Sequence, residues 1–150
     1  MLQRIQSLFL LGIVLCMAAM FFLPIFGTGA ASGNFDHYLF GNTSDSGVIP
    51  QALQCALSVL IGVILILALI TVFCYKKRQL QIKLCFLNIV FILLFHVGMV
   101  YFKIIAEQNQ AEFRLQPAAF LPAVALIFNY LAVKYVKKDE ALIRSMDRLR

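Results

Sequence analysis

A single imidazole, His96, stands inside the run Leu84–Phe102, which contains no Asp, Glu, Lys or Arg. Ionisable groups within long apolar runs mark transport or catalytic sites, because burying them is costly unless they work. Two roles stay open for His96: a ligand or proton carrier in a pathway, or an interior histidine with one hydrogen bond satisfied. A haem held by two imidazoles needs a second embedded histidine, and the other one, His37, falls in a polar Gly-rich segment. A proton-coupled exporter needs an embedded carboxylate, and the apolar runs hold none. A hydrolase needs a nucleophile, a base and an orienting acid, and no such set can be assembled. Cys16, Cys55, Cys74 and Cys85 form no C-x-x-C pair, so they read as small buried hydrophobes and not as zinc or disulfide chemistry. The expectation is a protein that is not an enzyme and needs no metal or cofactor.

Ser58, Asn88 and Asn129 are the other notable polar positions in the apolar runs. His96 lies seven residues before Lys103, and Ser58 lies seven residues into its own run. Each is therefore about 10 Å below one interface, a depth at which they could pair. Asn88 follows Lys83, and Asn129 precedes Lys134, by five residues. Both then sit about 7.5 Å inside the opposite, basic boundary. A carboxamide left unpaired in hydrocarbon costs several kcal/mol, so both should turn inward. They bond either to one another, or to the carbonyl four residues back or interfacial water.

The elements that position these groups are long and apolar. Of the 150 residues, 62% are hydrophobic and 13% charged, against roughly 45–50% and 25% in a soluble domain. Gln51–Tyr75 is the longest run, free of Asp, Glu, Lys, Arg and His and followed by Lys76, Lys77 and Arg78. Ile5–Phe26, Leu84–Phe102 and Leu115–Val133 complete a set of four, each long enough as helix to cross a hydrocarbon core of about 30 Å. The reading is an all-α membrane protein, one domain over residues 1–150. Its four helices, at about 5–26, 51–75, 83–103 and 117–136, form an antiparallel up-down bundle. Residues 27–50 make an outer loop, in which Phe35, Tyr38, Leu39 and Phe40 either pack back on the bundle or form a short strand pair. Residues 137–150 make a cytoplasmic tail that is either a short amphipathic helix on the membrane face or a continuation of helix four. Helix three is expected to run on past Lys103 for a turn or more.

Charge gives the orientation. Arg4, Lys76, Lys77, Arg78, Lys83, Lys134, Lys137, Lys138, Arg144, Arg148 and Arg150 fall on one side, eleven of the 13 basic residues; only Lys103 and Arg114 fall on the other. Positive residues stay cytoplasmic, so both termini are expected inside. Arg4, Lys76, Lys77 and Arg78 become inner-interface contacts for anionic lipid headgroups. The net charge of +6 does not point to nucleic acid, because the basic residues cap apolar runs and are not interleaved with aromatics on a polar face. Arg4 followed by an apolar stretch and Thr28-Gly29-Ala30-Ala31 invites comparison with a signal peptide, but the apolar part exceeds the usual length, about 7–15 residues, and a retained helix is expected. Pro122, just inside helix four, removes the bond to the Ala118 carbonyl and should kink that end mildly. Asn42-Thr43-Ser44 matches a glycosylation sequon.

The opening Met1-Leu2-Gln3-Arg4-Ile5-Gln6-Ser7-Leu8-Phe9-Leu10-Leu11, followed by Phe21-Phe22-Leu23-Pro24, resembles an uncharacterised Bacteroidetes-type family of four-span membrane proteins, a domain of unknown function. The resemblance covers the whole chain in length and span count. It implies a bacterial inner-membrane protein and no assigned activity. Two roles are carried forward: a non-enzymatic scaffold or accessory subunit with a protein partner or a second copy of itself, and a small-molecule carrier or channel subunit with His96 in the pathway.

Overall fold

The computed structural model describes residues 2–30, 33–38, 51–74 and 78–147. In chain order they form α1 (Leu2–Ala19), β1 (Phe26–Ala30), β2 (Gly33–His37), α2 (Gln51–Phe73), α3 (Arg78–Gln108), β3 (Glu112–Leu115), a 3₁₀ turn (Pro117–Phe120) and α4 (Leu121–Asp147). Each helix packs chiefly on two neighbours, in the ring α1–α2–α3–α4–α1. A side chain built at Gly98 would meet Leu57, while Gln81 reaches Thr71, so α2 and α3 run antiparallel.

The buried positions follow one rule. In α3 they are Gln81, Cys85, Asn88, Ile92, Phe95, Met99, Phe102 and Ala106; in α4 and the turn before it, Ala118, Pro122, Ala125, Asn129, Ala132 and Val136. The steps alternate between four and three, and Leu10, Ile13, Met17 and Met20 after α1's start, and Ile61, Ile64, Ala68 and Thr71 in α2, continue the pattern. A mean step of 3.5 is the heptad seam of knobs-into-holes packing, here in a four-helix ring. Outside the seam the surface is apolar: Phe73, Phe86, Val97, Val100, Ile127 and Tyr130 are all exposed. Water would penalise so wide an apolar exterior. Ala52–Phe73, Gln79–Gln108 and Pro117–Asp139 are long and apolar enough to cross a membrane, and Ser7–Ala19 is a shorter apolar helix.

Several expectations need correction. The first helix ends at Ala19, not near residue 26. The amides of Phe21 and Phe22 turn back to Ala18 and Ala19, and Pro24 then holds the chain extended before β1. The fold is not purely α-helical. β1 is the centre of an antiparallel sheet in the order β2-β1-β3. The strand pair considered for the 27–50 segment is present, but it starts earlier and gains a third strand from the α3–α4 connection. Leu39, Phe40 and the sequon 42–44 lie outside the described residues. A separate amphipathic tail helix is also absent among the described residues, because α4 continues unbroken to Asp147. No Gly or Pro interrupts residues 137–147, and Lys, Glu, Ala and Leu sustain a helix. Helix three extends further at both ends than 83–103, beginning at Arg78 and running past Lys103 to Gln108 as expected on that side.

Two junctions shape the sheet end. Past α3, the Ala111 amide bonds to the Ala106 carbonyl and the Gln110 amide to that of Glu107. This 6→1 and 5→2 pair is a Schellman motif, with Gln110 in the left-handed region at φ 55° and Ala111 buried. It reverses the chain into β3. Before α4, the carbonyl of Ala118 that Pro122 cannot serve accepts instead from the Leu121 amide, closing a 3₁₀ turn. The disruption foreseen at Pro122 is absorbed at this helix start.

Candidate functional site

The sheet lies over one end of the ring. In β1, Phe26 and Thr28 pair with His37 and Phe35 of β2 and with Leu115 and Phe113 of β3. Phe26, Thr28 and His37 are buried, while Asp36, Glu112 and Arg114 on the alternate positions are exposed. The period of two thus makes the sheet amphipathic. Phe26 is the pivot: its ring lies 5.3 Å from Phe102 of α3, 5.5 Å from Phe113 and 4.6 Å from the His37 imidazole, on which it stacks at 15°. His37 Nε2 and Thr28 Oγ1 share a buried hydrogen bond of 2.8 Å. The Ile25 amide donates to the His37 carbonyl, and the Gln116 amide to that of Ile25, extending the ladder beyond the strands. Composition alone puts His37 in a polar Gly-rich segment. The signal was there as alternation: Phe26-x-Thr28 and Phe35-x-His37 flank a Gly/Ala/Ser stretch able to turn.

A second polar group lies in the seam. Gln81 Nε2 donates to the Thr71 carbonyl at 3.5 Å. That carbonyl is among the last four of α2, so Gln81 acts as a cap across two helices. Asn88 is 2% exposed and Asn129 0%. Both turn inward, as the cost of an exposed amide in hydrocarbon requires. They do not bond to one another: the amide nitrogen and oxygen of Asn129 and the oxygen of Asn88 have no hydrogen-bond partner. The equal depth expected from Lys83 and Lys134 is not enough for a bond, which also needs the two side chains to point at one another.

His96 and Ser58 each bond within their own helix. His96 is half-buried, and its Nδ1 donates to the Ile92 carbonyl at 2.8 Å, one turn back. Its ring meets Phe95 edge-on, with centroids 5.9 Å apart. Ser58 donates to the Gln54 carbonyl at 3.0 Å, also one turn back. A hydroxyl or imidazole in a helix has such a carbonyl within reach. Of the basic contacts, Arg4 lies in the first turn of α1 and Arg78 opens α3, while Lys76 and Lys77 fall outside the described residues. Cys85 is buried, Cys16 and Cys74 half-buried and Cys55 exposed, and none is in a disulfide.

The architecture is therefore a heptad-packed helix ring closed at one end by an amphipathic sheet. The sequence of residues 2–149 matches a protein family described as Domain of unknown function (DUF4293). The chain belongs to that family. No curated protein matches it. The description of the DUF4293 family assigns no activity. In this DUF4293 chain, among the described residues, no cluster of His, Cys, Asp or Glu could hold a metal ion.

Proposed function

We propose that this DUF4293 protein is a bacterial inner-membrane protein with four crossing helices and both termini cytoplasmic, and that it serves without enzymatic chemistry as a scaffold or accessory subunit. The observation that carries the reading is the packing: bulky side chains such as Ile61, Ile64, Ile92, Phe95 and Phe102 fill the ring, while apolar side chains cover its outside. A filled interior leaves the outer helix faces and the two ends as working surfaces. Orientation draws on the charge asymmetry. The two basic residues at the sheet end are also neutralised locally, Lys103 by Glu107 at 3.6 Å and Arg114 by Glu112 at 2.8 Å. On the other side, Arg4, Lys76, Lys77 and Arg78 would meet anionic headgroups.

Crosslinking in native membranes followed by purification tests the role. A stoichiometric protein partner, or a second copy of the chain, is the expected result. Recovery of the protein alone, together with solute flux in liposomes that is lost in His96→Ala, would replace the scaffold with a carrier. Half-buried His96 is the residue that such a pathway would use.

A further inference from the structure

Lys134, Lys137 and Lys138 are exposed at the end of α4's apolar span that lies away from the sheet. Steps of three and four residues put them on one face of the helix, with a rise of about 6 Å from first to last. Toward the sheet the same face continues as Tyr130, 61% exposed, and Ile127, 57% exposed. Apolar side chain, aromatic ring and then ammonium groups is the order in which a helix leaves hydrocarbon for the headgroup layer. Asp139, five residues from Lys134, falls on another side of the helix and is half-buried.

The charge of this face is not balanced within the protein. At the sheet end Lys103 is paired with Glu107 and Arg114 with Glu112. Among the described residues, none of the three α4 lysines joins an ion pair or a hydrogen bond. Like charges one turn apart repel, so an anionic occupant would relieve them. The exposed apolar surface beside them narrows the choice. A soluble acidic chain could meet the lysines, but it would leave Ile127 and Tyr130 uncovered. A phospholipid covers both, with phosphate on the ammonium groups and an acyl chain along the helix. Charge then selects among phospholipids. One phosphodiester carries a single negative charge, which three lysines outnumber. A headgroup with two phosphates is the closer match.

We infer that the face of α4 from Ile127 to Lys138 binds a phospholipid carrying two phosphates, held by Lys134, Lys137 and Lys138. This rests on the membrane reading above and concerns lysines other than the basic residues named there.

The test is native mass spectrometry of the full chain in detergent micelles, titrated with diphosphatidylglycerol, phosphatidylglycerol or phosphatidylcholine. The first diphosphatidylglycerol should bind at least about fivefold more tightly than the first phosphatidylglycerol, the gain expected of one further lysine contact. Most of that preference should be lost in the triple variant Lys134→Gln, Lys137→Gln, Lys138→Gln, and kept in Lys103→Gln, Arg114→Gln. A smaller preference in the wild-type protein, which needs no variant to fold, would overturn the inference. So would a preference that the triple variant keeps. Binding of poly-glutamate that is lost in the triple variant, in a protein without lipid preference, would give the face to an acidic protein partner instead. Alkaline carbonate extraction of native membranes tests the membrane reading separately. Release of the wild-type protein would overturn both readings, whereas a protein that stays in the membrane and shows no lipid preference overturns this inference alone.

Discussion

Thr28 and His37 show what one hydroxyl does under the sheet. Their hydrogen bond is buried, and Thr28→Val would remove the partner of Nε2 while keeping the shape. A buried polar atom stripped of its partner costs about 1–3 kcal/mol, so unfolding in bicelles should show a loss of that size. Asn88 and Asn129 give the opposite expectation. Since they do not bond to one another, a double-mutant cycle with Asn88→Leu and Asn129→Leu should return a coupling energy within about 0.3 kcal/mol of zero. A larger coupling would restore the pair. Inward burial of both asparagines was legible in the sequence, because solvation cost alone decides it. Whether they bond to one another was not, because that depends on how the two helices are rotated and offset.

Helix ends and helix contacts carry the next predictions. Gln110 occupies a left-handed position that glycine takes without steric cost. Gln110→Gly should therefore stabilise the α3–β3 junction, by about 1 kcal/mol in equilibrium unfolding. Gly98 faces α2 so closely that an added Cβ would lie 2.7 Å from a Leu57 methyl. Alanine there can be met by a rotation of Leu57, a flexible side chain. Gly98→Ile adds a branched group with nowhere to go and should destabilise the protein by about 1–3 kcal/mol, read from the same unfolding transition. Gly12 is held in the same way against the Phe128 ring, at 3.1 Å, where α1 meets α4. Small residues at these two places let the helices approach closely, a recurring device of helix packing in membranes.

At the scale of the molecule, the sheet makes the two ends different, and orientation becomes a question with a clear test. A cysteine engineered at Ser44, introduced in a background without the four native cysteines, should react with an impermeant maleimide in intact cells. One at Gln79, which is exposed at the start of α3, should react only after the membrane is opened. Labelling of Gln79→Cys in intact cells would reverse the proposed topology.

The sequence by itself determined the long apolar helices, the charge asymmetry and the inward turn of the asparagines, since each follows from solvation along a local stretch of chain. Even the family was legible in its opening residues. Tertiary structure alone decided the sheet, because β3 comes from residues 112–115 and joins β1 across more than eighty residues of chain. Its alternation is too short to stand out until Phe26 finds Phe102 beneath it. It also decided which polar groups meet. Depth along a helix can be counted in residues, but whether two side chains touch depends on the rotation and offset of the helices that carry them. Those are set by packing at Gly98 against Leu57 and at Gly12 against Phe128, contacts that no single segment encodes.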